Sequence, residues 1–180
     1  MERRVLSGAG TIFGVSRYTA RALGHERDGR IGHLPIPVDI AALTPPERPP
    51  KPGVIGFAGR FNDPRKNMAA LIAAVARARG QGHDIRLRAV GAAPDEALRR
   101  AVRDSNLDGF VDFPGEVGRE RLIDFYREID VFVIPSHQEG LCIAGIEALA
   151  CGVPVVSTRC GGPSRPNTPA RPSSSLRCDA

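Results

Sequence analysis

The sequence contains no tryptophan, and aromatic residues make up only 5% of its 180 positions. Proteins that bind single-stranded nucleic acid commonly stack the bases on aromatic side chains. The shortage of aromatic residues therefore argues against a nucleic-acid partner. The net charge of +5 favours anionic partners in general. The arginines are scattered and not clustered, so an ordinary basic surface remains the alternative explanation of the charge.

Patterns typical of metal sites, disulfide frameworks and membrane insertion are also missing. The four cysteines, at positions 142, 151, 160 and 178, form no Cys-x-x-Cys pair, and no histidine lies beside them at metal-ligand spacing. We therefore expect no metal site and a reducing compartment. No apolar segment follows the charged start as in a secretory signal, and no apolar run is long enough to span a bilayer. The expected location is the cytoplasm, with peripheral contact at the inner membrane face left open.

Two common catalytic patterns are absent as well. No Gly-x-Gly-x-x-Gly follows the first strand of the main domain, which weakens the case for a dinucleotide-dependent oxidoreductase. His25, His33 and His83 have no paired acid or nucleophile nearby in sequence, and no Ser-His-Asp order stands out. His137 lies two residues before an acid and is more typical of a variable loop position.

From position 54 onwards, short apolar strands alternate with amphipathic helices. The predicted strands are Val54–Ala58, Ile85–Val90, Phe110–Phe113, Val131–Ile134 and Val153–Ser157; the predicted helices are Asn67–Arg79, Asp95–Ser105, Arg119–Ile129 and Leu141–Cys151. This alternation implies right-handed βαβ units, and thus an α/β fold with a Rossmann-like parallel sheet flanked by helices. Ligands of such sheets bind at the carboxyl ends of the strands, where the motifs below fall.

The segments on either side of this pattern have a different character. Before it, Gly10–Ser16 and Ile31–Asp39 predict strands, and a short helix is expected between Ser16 as its cap and Gly24 as its stop. Prolines at 45, 46, 49, 50 and 52 predict an extended linker over residues 44–53, where we place a domain boundary. After it, residues 164–180 are rich in Ser, Pro and Arg and predict a disordered tail.

The most informative segment joins the last two predicted strands. Residues 135–156 read PSHQEGLCIAGIEALACGVPVV and hold Glu139 and Glu147 with seven residues between them. On one helix, eight steps of about 1.5 Å would separate the two acids by roughly 12 Å, which suits the ends of an extended polar ligand better than a paired acid and base. The segment resembles the EX7E segment of the family 4 retaining glycosyltransferases, which have the GT-B fold, and Glu139 and Glu147 match its two acids.

This resemblance, which extends over Val54–Pro163, implies roles for the matching residues. Glu139 would bind hydroxyls of the donor sugar, and Glu147 would accept hydrogen bonds from the ribose. The alternative for Glu147 is a helix-surface residue, which its apolar neighbours make costly. The backbone N–H groups of Gly140, Leu141 and Cys142 would face the phosphates. Many relatives carry an aromatic residue and a glycine at the last two positions, and cysteine adopts positive φ less freely than glycine. The turn geometry and the donor preference are therefore in question.

The first strand of the main domain ends at Gly59, and two cations, Arg60 and Lys66, follow it. They resemble the family's clamp for the donor diphosphate, where fixed cations stabilise the charge of the leaving group without a metal. The alternative is a solvated loop with ordinary basic residues. By the same resemblance Gly91 and Val117 would line the base pocket, although both loops could simply be turns.

Taken together, the resemblance implies a donor-binding domain over residues 54–163, preceded in residues 1–43 by the end of an acceptor-binding domain and truncated at both ends. The implied reaction transfers a sugar from a nucleotide-diphosphate donor to an unknown sugar, lipid or small-molecule acceptor, with retention and without a metal or other cofactor. Glu139, Arg60 and Lys66 are the catalytic candidates. The chain alone should transfer poorly. A non-catalytic nucleotide-sugar-binding remnant, and another α/β enzyme such as an epimerase or dehydrogenase, are the alternatives.

Overall fold

The computed structural model describes residues 8–24, 30–47 and 52–162. The predicted tail at 164–180 and the middle of the predicted linker lie outside the described residues. The described chain begins with a two-stranded parallel sheet of β1 (Ile12–Gly14) and β2 (Ile31–His33), joined through helix α1 (Arg17–Gly24). Ser16 caps α1 as predicted, because its Oγ accepts a hydrogen bond of 3.1 Å from the N–H of Thr19.

The second predicted strand is much shorter than expected. Pairing ends at His33, whereas the prediction continued to Asp39. The physical reason lies in Pro35 and Pro37, which have no N–H group to donate to a neighbouring strand. The following chain turns onto the main domain, where Leu43 is buried and the Arg127 side chain donates 3.0 Å to the carbonyl oxygen of Thr44. The start of the predicted linker is therefore packed against the main domain.

The main sheet has five strands, all parallel, in the spatial order β5-β4-β3-β6-β7. Its elements in chain order are β3 (Val54–Ala58), α2 (Met68–Gly80), β4 (Arg86–Val90), α3 (Glu96–Asp104), β5 (Val111–Gly115), α4 (Arg119–Arg127), β6 (Val131–Ile134), α5 (Ile143–Ala150) and β7 (Val155–Ser157). The predicted α/β fold with a parallel sheet is confirmed. The chain builds outwards from β3 to β5 and then returns to β6 on the other side of β3, so a crevice opens between the carboxyl ends of β3 and β6.

Apolar side chains cover both faces of this sheet and hold helices on each. The cluster on one face, which includes Phe57, Leu71, Ile72, Val75 and Leu87, packs α2 and α3. The cluster on the other face, which includes Tyr126, Phe132, Ile134, Ala148 and Cys151, packs α4 and α5. Burial on both faces explains why the central strands read as nearly continuous apolar runs.

Helix ends differ from the predictions by one or two residues. Asp95 is the cap of α3 and not its first residue, since its Oδ1 accepts from the N–H of Leu98 at 2.8 Å. The α4 helix ends at Arg127, two residues before the predicted end at Ile129. The α5 helix begins at Ile143, two residues later than predicted, because Cys142 has the left-handed backbone angles φ 58° and ψ 72°.

Candidate active site

The loops that follow β3 and β6 meet at the crevice. Lys66 Nζ donates to Glu139 Oε1 at 2.6 Å, although the two residues are 73 positions apart. The Asn67 side chain donates 3.2 Å to the carbonyl oxygen of Pro135, and the N–H of His137 donates 2.8 Å to the carbonyl oxygen of Arg65. The sheet order therefore brings the predicted cation and the predicted carboxylate together.

The backbone and side chain of Glu139 are both fixed. Its N–H donates 2.7 Å to the carbonyl oxygen of Cys160, and its own carbonyl accepts from the N–H of Gly162 at 3.0 Å. The side-chain Oε1 also accepts a 2.6 Å hydrogen bond from Oγ of Ser136, which is 1% exposed. With Lys66, two donors thus hold this oxygen in place. Sequence analysis missed Ser136; the available signal was a hydroxyl residue just after a strand and three positions before the acid.

Asp63 organises the basic loop after β3. It caps the short 3-10 turn at Pro64–Lys66, where its carboxylate accepts from the N–H of Arg65 at 3.0 Å and from the Arg65 guanidinium at 2.7 Å. The side-chain bond from Arg65 is the main reason that the pKa of Asp63 is lowered to about 2. Arg60 lies farther from this carboxylate, at 3.7 Å, and its side chain is 76% exposed. Arg65 is thus committed to Asp63, whereas Arg60 is free to reach a ligand.

A cavity of about 320 Å³ lies over this loop pair. Its lining residues are Tyr18, Thr19, Arg60, Arg65, Lys66, Gln138, Glu139 and Gly140. Arg65 lines the cavity as well, although its guanidinium is paired with Asp63. Tyr18 and Thr19 come from the first turn of α1 and were not predicted. His137, next to Gln138, is exposed.

Glu147 lies elsewhere, on α5, and does not line this cavity. Its Oε2 accepts a 2.8 Å hydrogen bond from the hydroxyl of Tyr126 on α4. Burial, followed by the nearby charge of Glu147, raises the pKa of the Tyr126 phenol, so the hydroxyl stays protonated and can donate. Glu147 is half-buried and hydrogen-bonded, and its role at a ligand stays a prediction.

The glycine residues predicted at the donor site pack against one another. The N–H of Gly59 donates 2.9 Å to the carbonyl oxygen of Val90, and the N–H of Gly91 donates 3.1 Å to that of Gly115. A Cβ atom at Gly91 would lie 1.9 Å from the carbonyl oxygen of Gly59. The Val117 side chain packs against the core beneath α4 and α5. None of Gly59, Gly91 and Val117 lines the cavity, and their roles at a nucleotide stay predictions.

The turn before α5 has free backbone donors. The described part of the chain offers no acceptor to the N–H groups of Gly140, Leu141 and Cys142, which are the three that the sequence assigned to phosphates. Cys142 is at the helix cap with its left-handed φ of 58°. Burial raises the pKa of its thiol to about 11, so the thiol is protonated at neutral pH and adds no negative charge beside this turn.

Comparison with known proteins decides the family. The sequence pattern of the family described as "Glycosyl transferases group 1" matches residues 52–169. The chain belongs to this family. A D-inositol 3-phosphate glycosyltransferase of Pseudarthrobacter chlorophenolicus is 34% identical over 182 residues, which cover 91% of this chain and 43% of that protein. A second one, of Arthrobacter sp., is 31% identical with the same coverage. The group 1 chain thus spans less than half the length of these relatives.

Solved structures agree on the fold of this glycosyl transferase chain. Sucrose-phosphate synthase from Thermosynechococcus elongatus superposes with a TM-score of 0.77 at 28% identity, covering 89% of this chain and 43% of that chain. HepE from Anabaena, solved in complex with UDP and glucose, superposes with a TM-score of 0.76 at 20% identity. The match covers 90% of this chain and 49% of the HepE chain. These neighbours are GT-B glycosyltransferases, so the resemblance to that fold is confirmed.

Two further observations concern the metal and membrane predictions. Among the residues that the structure describes, no three His, Cys, Asp or Glu side chains are grouped so that they could hold a metal ion. Within the same residues, no helix is long and apolar enough to cross a membrane. The absence of a cofactor in the reaction stays a prediction.

Proposed function

We propose that this group 1 glycosyl transferase chain carries the donor site of a retaining enzyme that takes its sugar from a nucleotide diphosphate. In the reaction the bond between the anomeric carbon and the diphosphate oxygen breaks. The acceptor hydroxyl oxygen bonds to the same carbon on the same face, and its proton leaves with the nucleoside diphosphate. The contact of Lys66 with Glu139 carries the proposal, because it joins a cation and a carboxylate at the switch point of the sheet.

The cations answer the main chemical demand of this reaction, which is the negative charge that develops on the leaving diphosphate. Arg60 is exposed and only loosely paired, so it can form a bidentate contact with phosphate oxygens. Lys66 supplies a second positive charge beside it. The N–H groups before α5, which have no acceptor among the described residues, can supply further donors. A site with these groups needs no metal ion.

The carboxylates serve recognition in this proposal. Glu139 has one oxygen held by Lys66 and Ser136, and its other oxygen accepts no hydrogen bond from the described residues. That oxygen is available to hydroxyls of the donor sugar. Glu147, held in a separate place by Tyr126, would bind the ribose at the other end of the donor. Glu139 precedes α5 and Glu147 lies within it, so the two acids are not on one helix, and each would meet a different end of a long donor.

The names of the relatives suggest which class of acceptor to test first. Two relatives are named D-inositol 3-phosphate glycosyltransferases. An inositol phosphate is therefore the first acceptor to test. Cys142, Cys151 and Cys160 are free thiols, which supports a reducing compartment such as the cytoplasm, with the inner membrane face as the place to look for a lipid acceptor.

Calorimetric titration of the chain with UDP, GDP, ADP, their sugar conjugates and NAD⁺ tests the donor site. We expect one nucleotide family to bind, and Arg60→Ala to weaken that binding by roughly tenfold through loss of a charge-assisted contact. Arg103→Ala is the matched control, because Arg103 pairs with Glu96 on α3 away from the cavity. Binding of NAD⁺ alone, or equal affinity in Arg60→Ala and the wild type, would contradict the proposal.

The transfer step requires its own measurement. Incubation with the bound donor and an inositol phosphate, followed by NMR of the product, reports whether a new glycoside forms and which anomer it is. An anomer opposite to that of the donor would exclude retention. Because the chain alone is expected to transfer poorly, even a trace of glycoside would contradict the non-catalytic alternative.

A further inference from the structure

Tyr126 and Glu147 form a hydrogen bond between two helices that sequence analysis did not connect. Tyr126 lies on α4 and is 0% exposed, and Glu147 lies on α5, 21 positions later. The phenolic hydroxyl donates to Oε2 of the carboxylate at 2.8 Å. Within the described residues, this is the one hydrogen bond that the Glu147 side chain accepts, and so Oε1 remains available.

The phenol is held more rigidly than the carboxylate that it contacts. The Tyr126 ring packs edge-on against Phe132, with 5.8 Å between the ring centroids, and lies 5.3 Å from the ring of Phe125. A glutamate side chain on a helix has three rotatable bonds, and no other hydrogen bond or ion pair among the described residues holds this one. The fixed hydroxyl therefore determines where the carboxylate lies.

We propose that Tyr126 is a positioning residue that orients Glu147 so that its second oxygen meets the ribose diol of the donor. The inference rests on the proposed function, because it takes Glu147 as the ribose ligand. A carboxylate binds a pair of hydroxyls well only when its orientation is set beforehand, since an unrestrained side chain loses rotamer freedom on binding. The raised pKa of the phenol supports this role, because the hydroxyl remains a donor across the working pH range.

The alternative is purely structural: the hydrogen bond would only satisfy a buried tyrosine. The two roles differ in what happens to ligands that lack ribose hydroxyls. If the role is structural, loss of the Tyr126 hydroxyl lowers the stability of the fold and leaves the preference for ribose over deoxyribose unchanged. If Tyr126 positions Glu147, loss of the hydroxyl lowers that preference, because a misplaced carboxylate no longer distinguishes the two sugars.

The experiment titrates wild-type chain and Tyr126→Phe with UDP, GDP and ADP, and then with the 2′-deoxy and 3′-deoxy forms of the nucleotide that binds. We expect the wild type to prefer the ribose form by about tenfold. In Tyr126→Phe we expect that preference to fall to about twofold, with little change in affinity for the deoxy forms. Phe retains the ring and its packing, so the variant leaves no cavity.

Two further variants separate charge and packing. Glu147→Gln can still accept from Tyr126 but loses its charge, and its preference for ribose should also fall. Phe132→Leu loosens the core against the Tyr126 ring and keeps the hydroxyl, so its preference for ribose should match the wild type even if its melting temperature falls.

The outcomes are distinguishable. If Tyr126→Phe keeps the full ribose preference, Tyr126 has only a structural role, and the proposed function stands while this inference fails. If the wild type binds a nucleotide without preferring ribose, Glu147 does not bind the diol, and this inference also fails. If the folded wild type binds none of the nucleotides, the donor site itself is overturned and the role of Tyr126 with it.

Discussion

Each candidate carboxylate is held by a buried hydroxyl. Ser136 donates to Glu139 at 2.6 Å, and Tyr126 donates to Glu147 at 2.8 Å. In both cases the hydroxyl engages one carboxylate oxygen and leaves the other without a partner in the described chain. A hydrogen bond to one oxygen orients the carboxylate and leaves its other oxygen able to accept from a ligand. The same arrangement, built twice, therefore prepares both ends of the proposed donor site.

Cys142 adopts a backbone conformation that is unfavourable for a residue with a Cβ atom. Its φ of 58° lies in the left-handed region, which costs a residue with a Cβ atom about 1 kcal/mol relative to glycine. We expect Cys142→Gly to raise the free energy of unfolding by about that amount, as measured by urea denaturation.

Cys142→Ala is the control for this prediction, because it removes the thiol and keeps the backbone strain. It should show no such gain. Equal stability of the glycine and alanine variants would mean that the turn before α5 stores no strain at this position. The sequence alone raised the question, because the resemblance implies glycine at this position in many relatives, but it could not give the backbone angle.

At the scale of elements, the carboxyl ends of β3, β4 and β5 are packed so closely that their loops behave as one unit. Gly59 donates to Val90, Gly91 donates to Gly115, and a Cβ atom at Gly91 would lie 1.9 Å from the Gly59 carbonyl oxygen. That oxygen belongs to the backbone just before Arg60. A side chain at Gly91 must therefore displace the loop that carries the cations.

We predict that Gly91→Ala lowers the free energy of unfolding by roughly 2 kcal/mol or more and weakens nucleotide binding, because the clash is with backbone and φ is +154°. Thermal unfolding and calorimetry measure the two effects. Gly80→Ala is the matched control: Gly80 ends α2 with open space around it, so alanine should be neutral or stabilising by up to about 1 kcal/mol. A Gly91→Ala chain as stable as the control would show that the loops can separate.

For the whole molecule, the order of the strands creates the site. The chain crosses from β5 back to β6 beside β3, which places the loops after β3 and β6 next to each other. The helices pack on both faces through two separate cores, so the crevice between these loops is held from both sides. The basic loop after β3 and the loop after β6 that carries Glu139 then meet at the carboxyl ends of these two central strands.

The overall charge of +5 and the cations at the cavity predict a salt dependence for the donor. Raising sodium chloride from about 50 to 300 mM should weaken nucleoside-diphosphate binding by roughly threefold to tenfold, because the phosphates are partly exposed to screening ions. The neutral nucleoside of the same base is the control and should change little. Equal salt dependence of the two ligands, measured by calorimetry, would mean that Arg60 and Lys66 do not contact the phosphates.

Local patterns predicted more of the fold than of the site. Hydrophobic periodicity and helix-capping residues located the strands and helices of the main domain within a few residues, because burial and backbone hydrogen bonding act over short stretches. The strand predicted over Ile31–Asp39 was wrong beyond His33, since two prolines outweighed the apolar pattern. At α5 the first turn was lost because the backbone at Cys142 turns left-handed, which no periodicity records.

The sequence by itself determined the alternating α/β architecture, the family, and the residue types that a diphosphate and a sugar would need. Only the tertiary structure decided which of these residues meet. Lys66 reaches Glu139 across 73 positions, and Tyr126 reaches Glu147 between two helices, whereas Glu147 lies away from the cavity that holds Glu139. The physical reason is that a strand's apolar pattern specifies which face is buried but not which strand lies beside it. Neighbouring positions in the sheet follow from packing of the whole chain.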